Sequence, residues 1–149
     1  MARIEHSVVI KRPAEEVFLY LTEVPNLVEW QSGVLEARGD GPLRNGSTLT
    51  ELRKLLGMRA ESTLEVTEHR PNELFALRVI DGPVPLQVSH QLTATDEGTR
   101  LHVVVEGDPG GFVKLAGPLI MRTVRRELEF DLGTLRDLLE ARNEAAAAD

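Results

Sequence analysis

His90 stands in the middle of an otherwise apolar strand face, with Val84, Leu86 and Val88 before it and Leu92 and Ala94 after it. An imidazole aimed into a hydrophobic interior can donate to a carbonyl, accept from a hydroxyl or move a proton, and burial readily shifts its pKa. The residues leave its role open between ligand contact, acid–base work and a histidine satisfied by its neighbours. Glu51 and Arg53 form a second charged feature, two residues apart and therefore on one face of a strand. Turned inward, they would need each other or a ligand head group, because buried charges need partners; turned to the rim, they are an ordinary ion pair.

Little else in the chain has the spacing of a reaction centre. There is no nucleophile elbow, no HExxH pair and no cysteine, and His6, His69, His90 and His102 are scattered rather than set at metal-ligand intervals. No catalytic set, metal or cofactor is expected, His90 being the single weak catalytic candidate. Gly107-Asp108-Pro109-Gly110-Gly111 lacks both the P-loop lysine and the glycine spacing of a dinucleotide site, so it reads as a flexible entrance loop. Glu127, Glu129 and Asp131 lie around different sides of one helix and read as a solvated face, although Arg125 and Asp131, about 60° either side of its apolar stripe, are placed to close a pocket.

The elements that must position these residues follow from periodicity. Arg3–Lys11 alternates as a half-buried strand, with Ile4, His6, Val8 and Ile10 on one face. Pro13, Glu15 and Glu16 then open a short helix whose inner face is Val17, Phe18 and Leu21, and Pro25 starts a second one containing Leu27, Val28 and Trp30. Six strands are predicted next, at Val34–Arg38, Thr48–Leu55, Met58–Glu68, Leu74–Ile80, Val84–Thr95 and Thr99–Glu106, separated by short turn signals such as Leu56-Gly57 and Asp96-Glu97-Gly98. Loops this short make successive strands antiparallel. Parity places Ala60, Leu64 and Val66 on one side with Phe75, Leu77 and Val79, with Val88 and Leu92, and with Leu101, Val103 and Val105. A two-residue turn joining Leu55 to Met58 turns Leu49, Glu51 and Arg53 inward as well.

A long amphipathic helix, Phe112–Arg142, closes the chain. Its stripe of Gly117, Met121, Val124, Leu128, Leu132, Leu135 and Leu139 is about 80° wide, with a kink or fresh start expected at Pro118. The alanine-rich end from Glu144 to Asp149 is expected to fray. Phe130 lies about 160° from the stripe, where an aromatic points to a contact with a partner or to a homodimer.

The 149 residues make one domain, 1–149, that buries its own core without a staple. A net charge of −7 argues against nucleic acid as a partner. No apolar run reaches signal-peptide or membrane-span length, so a cytoplasmic protein without integral membrane association is expected.

One strand, two short helices, six strands and a long helix is the order of the helix-grip fold, an α+β class in which a curved antiparallel sheet of about seven strands wraps one helix. Ile10-Lys11-Arg12-Pro13-Ala14-Glu15-Glu16-Val17-Phe18, Trp30, Gly46, Glu65-Val66-Thr67-Glu68 ahead of Pro71, Gly98-Thr99, and Arg126 through Leu139-Glu140 together resemble the START-like (SRPBCC) superfamily, in particular its polyketide cyclase/dehydrase and lipid-transport group. The resemblance spans nearly the whole chain. It implies a cavity for a hydrophobic or amphipathic molecule, and it carries over no catalytic residue.

A sheet gripping a single helix rarely packs solid, so the expected partner is a small hydrophobic ligand, a lipid or polyketide-like metabolite, held between sheet and helix. The wall would come from Leu49, Arg53, Leu64, Phe75, Leu77, Val88, His90, Leu92 and Val103 of the sheet, from Met121, Val124 and Leu128 of the helix, and from Trp30. The alternatives are a cyclase or dehydratase working in the same cavity and an interaction module using the outer helix face around Phe130.

Overall fold

Alternation along the strands carries through to the tertiary structure. A computed structural model of the chain describes residues 2–55, 57–107 and 117–148. Seven strands, β1 (Ala2–Ile10), β2 (Val34–Gly39), β3 (Thr48–Leu55), β4 (Met58–Arg70), β5 (Leu74–Asp81), β6 (Leu86–Ala94) and β7 (Thr99–Gly107), form one sheet. Its order is β1-β7-β6-β5-β4-β3-β2, and every pair is antiparallel. Only β1 is out of chain order: it returns beside β7 and leaves β2 at the far edge. The helices are α1 (Ala14–Thr22), a 3-10 turn at Val24–Asn26 running into the single-turn α2 (Leu27–Trp30), and α3 (Gly117–Ala148). The protein is thus a helix-grip α+β fold, a curved antiparallel sheet around its C-terminal helix.

The register realises the predicted faces. Leu49 pairs with Leu64, Glu51 with Ser62, Arg53 with Ala60 and Leu55 with Met58, with Gly57 at φ 79° in the turn. Val66 faces Leu77, Leu77 faces Val88, and His90 lies between Phe75 and Val103. Strand β6 begins at Leu86 rather than Val84, because Pro85 has no N–H to give the ladder. Pro13 occupies the N-cap of α1 in extended conformation, and Glu15 and Glu16 fill the first turn. Gly98, at φ +151°, lets the β6–β7 turn run against β1: a Cβ there would lie 2.3 Å from the Ile10 carbonyl oxygen.

The described backbone of α3 is helical from Gly117 to Ala148, and the predicted start at Phe112 and the entrance loop after Gly107 lie outside the described residues. Pro118 is the second residue of α3, where its missing N–H is one the helix would leave unbonded anyway.

The apolar stripe of α3 is buried unevenly. Leu132, Leu135 and Leu139 are at most 2% exposed, packed with Val17, Leu21, Ile10 and Leu101. Met121, Val124 and Leu128, one to three turns earlier, are only partly buried. Helix α1 and the α2 turn fill the grip at one end of α3, and nothing among the described elements does so at the other. Among the described residues the core is therefore solid at one end and hollow at the other.

Candidate functional site

The hollow end is a partly open cavity of about 390 Å³. Its walls are aliphatic: Leu64, Leu77, Val79, Leu86, Val88, Val103 and Val105 project from the sheet, and Ile120, Val124 and Leu128 from α3. Because β-strand side chains alternate, one parity class of β4, β5, β6 and β7 supplies this aliphatic face, and Glu51, Arg53 and Leu55 of β3 extend it.

Polar groups gather around the turn after α2. The Arg53 guanidinium donates from Nη2 to the Gln31 side-chain oxygen at 2.6 Å and to Glu51 at 3.2 Å, while its Nη1 stands 3.9 Å from Glu127. The Ser32 backbone N–H donates to Asp131 Oδ1 at 3.0 Å, which ties α3 to the same turn. Gln31, Glu51, Arg53, Glu127 and Asp131 all line the cavity. Burial pushes the Glu127 carboxyl above its ordinary pKa, opposed by Arg53, and Asp131 adds to the rise. Burial pushes Asp131 up as well, against the pull of its bond from Ser32. The indole Nε1–H of Trp30, a residue 4% exposed that also lines the cavity, has no hydrogen-bond acceptor among the described residues.

His90 is 5% exposed, and its Nδ1 lies 2.9 Å from the Phe75 carbonyl oxygen. A carbonyl only accepts, so Nδ1 carries the proton and Nε2 is left as a lone-pair acceptor. Desolvation lowers the imidazole pKa, the bond to Phe75 opposing it, so the ring is held neutral at neutral pH. The ring also stacks on Phe75 at a centroid distance of 5.6 Å.

Of the residues singled out from the sequence, Trp30, Arg53, Leu64, Leu77, Val88, His90, Val103, Val124 and Leu128 line this cavity. Leu49 and Phe75 instead line a small side pocket of about 20 Å³, which shares Trp30, Gln31, Glu51, Leu77 and His90 with the main one. Leu92 and Met121 line neither: Leu92 sits in the solid core opposite Leu101, and Met121 packs against the core from α3. Glu127 and Asp131 depart from the solvated face expected of the helical carboxylates, and Asp131 is only 5% exposed. For Asp131 its place about 60° from the centre of the stripe was the available signal, whereas Glu127, about 100° away, offered none. Glu51 is 5% exposed, so Glu51 and Arg53 form an inward pair rather than a rim pair.

Other features fall outside the site. His102 is on the outer face as parity requires, within hydrogen-bond distance of Ser7 and, at 3.0 Å, of Glu5. His6 pairs with Val103 on β1 and does not line the cavity. Phe130 is 66% exposed on the outer side of α3. Among the described residues no cluster of His, Asp or Glu could hold a metal, and no helix is long and apolar enough to cross a membrane.

A family model described as polyketide cyclase / dehydrase and lipid transport matches residues 1–140. The chain belongs to that family. Solved structures with the same fold include TTHA0849 from Thermus thermophilus, with a TM-score of 0.82 at 14% identity, covering 95% of this chain and 99% of that one. The Zhui aromatase/cyclase from Streptomyces sp. R1128 gives a TM-score of 0.81 at 17% identity, with 97% of each chain covered. The di-domain ARO/CYC StfQ from the steffimycin biosynthetic pathway gives 0.77 at 15% identity, covering 95% of this chain and 52% of that one. No curated protein matches the sequence. At these identities the likeness establishes a common fold.

Proposed function

We propose that the protein binds or carries a small hydrophobic or amphipathic molecule in the cavity between sheet and α3. The observation that carries this reading is the cavity itself, about 390 Å³ walled by aliphatic side chains from both layers, with its polar groups gathered at one turn. Each buried ligand methylene contributes about 0.8 kcal/mol before ordering costs, so an aliphatic wall of this extent supports micromolar binding without special chemistry. The family's name, which joins cyclases with lipid transport, supports a ligand of lipid or polyketide character. The test is titration with Nile red, a neutral hydrophobic dye, together with native mass spectrometry of gently purified protein. Saturable dye binding displaced by a co-purifying molecule is the expected result; absence of any saturable binding sinks the proposal.

A second reading, a cyclase or dehydratase, is favoured by one arrangement in particular. A neutral imidazole acceptor, a guanidinium and two carboxyls of raised pKa line the same apolar space. A lone-pair base beside donors for a developing enolate oxygen is the equipment that proton abstraction next to a carbonyl requires. The names of two structural neighbours, both aromatase/cyclases, point the same way. His90→Ala separates the readings: turnover of a poly-β-keto substrate lost with binding retained supports the enzyme, and no turnover by the wild-type protein leaves the carrier.

A further inference from the structure

The polar end of the cavity has a definite hydrogen-bond and charge signature. Its lining carboxyls, Glu51, Glu127 and Asp131, face one guanidinium, and that guanidinium is already engaged: Nη2 by Gln31 and Glu51, and Nη1 toward Glu127. The other cationic lining residue among the described ones, Arg59, is exposed at the β3–β4 hairpin, where water screens it. His90 offers the lone pair on Nε2, whereas the Trp30 indole N–H, without an acceptor among the described residues, is itself fully buried and does not reach the open space. The wall therefore asks the ligand for at least one donor.

Resting on the hydrophobic-ligand reading above, we infer that the cavity selects ligands with an uncharged, hydroxyl-bearing polar end and rejects free carboxylates. A hydroxyl donates to Asp131, Glu127 or His90, all of which line the space. A carboxylate can only accept, and it adds a fourth acidic group to a site whose inward cation among the described residues, Arg53, is already committed. The discrimination is built into the wall and needs no moving part.

The experiment displaces Nile red from the full chain with 1-decanol and with decanoate at pH 8, where decanoate is ionised. Any apolar cavity prefers the alcohol to some degree, so the deciding readout is how the preference changes in Glu127→Gln and Asp131→Asn. Removing one unit charge several ångströms from the head group at intermediate dielectric should raise decanoate affinity about tenfold. Because Glu127 and Asp131 also meet the hydroxyl, the readout is the ratio of the two affinities: the preference for decanol over decanoate should fall about tenfold in each variant. Glu127→Gln is the safer variant for folding, because that side chain is 25% exposed and accepts no hydrogen bond from the described residues. Decanoate binding as tightly as decanol to the wild type, or a preference unmoved by both variants, overturns the inference while leaving the hydrophobic cavity standing. Failure of Nile red to bind at all overturns the underlying reading instead.

Discussion

Val88→Phe should close the cavity without harming the fold. Val88 sits on β6 between Leu77 of β5 and Val105 of β7, and all three side chains line the void. Phenylalanine carries about four more carbons than valine and suits a strand, so the added ring enters empty space rather than an occupied core. Four carbons of protein there displace about four methylenes of ligand. At about 0.8 kcal/mol each the loss is about 3 kcal/mol, or roughly two hundredfold in affinity. Nile red titration reads the affinity, and urea denaturation reads the stability. The denaturation midpoint should hold or rise, since filling a void removes its cost, whereas overpacking would lower stability by about 1–3 kcal/mol. Val9→Phe is the control, because Val9 is 40% exposed on the outer face of β1 and should alter neither readout. A Val88→Phe protein of full stability that binds the dye as tightly as wild type would refute the placement of the ligand.

Arg53→Ala leaves Glu51 buried without its cation and should cost about 2 kcal/mol by urea denaturation. That is less than the ~3–5 kcal/mol of a fully buried pair, because Arg53 is 30% exposed and partly screened. Asp131→Asn keeps the acceptor for Ser32 N–H and removes a charge that burial disfavours, so it should raise the thermal midpoint at pH 8. Below the ordinary aspartate value of 3.8 the carboxyl is protonated folded and unfolded alike; the charge penalty sets in as pH rises through the raised folded pKa. The gain of the variant over wild type should therefore shrink as pH falls toward 4, and a gain that grows with acidity would reverse the assignment. Gly98→Ala should lower the midpoint by the equivalent of about 2 kcal/mol or more, since a Cβ at φ +151° collides with the Ile10 carbonyl. A thermal scan matching wild type would exclude that clash.

The strand order and the inward face were legible because side-chain parity and turn chemistry are local properties. A two-residue turn fixes which residue of β4 meets Leu55, and from there every inward residue of β3 follows, Glu51 and Arg53 included. What lies beyond that face is not local. Leu49, Phe75 and Leu92 share parity with cavity residues, yet the space before them is occupied by Leu21, Leu27 and other side chains of the α1–α2 region and the core. Parity reports a direction and cannot report whether the volume there is filled. The same reasoning explains Asp131. A residue beside the apolar stripe faces water or protein according to how far the sheet wraps the helix, and the bond from Ser32 closes that side. The unpartnered indole of Trp30 is also a tertiary property, since any acceptor for it must come from another element.

A void of this size beside buried polar groups calls for an account beyond folding. Glu51, His90, Asp131 and the Trp30 indole are each buried at some cost, and apolar residues of similar volume would often be neutral or stabilising in their place. They are not spread through the core around Leu132, Leu135, Ile10 and Leu101, where the buried Thr99 opposite Ile10 is satisfied by the Arg12 carbonyl. All four residues instead line one cavity, and the partners they have, Ser32, Arg53 and the Phe75 carbonyl, leave His90 Nε2 to be met from within it. Local costs that converge on a single space are the pattern expected where function, rather than stability, decided the residues. A ligand that fills the apolar volume and supplies the missing donor accounts for the hollow and for its polar wall together, which a merely imperfect core does not.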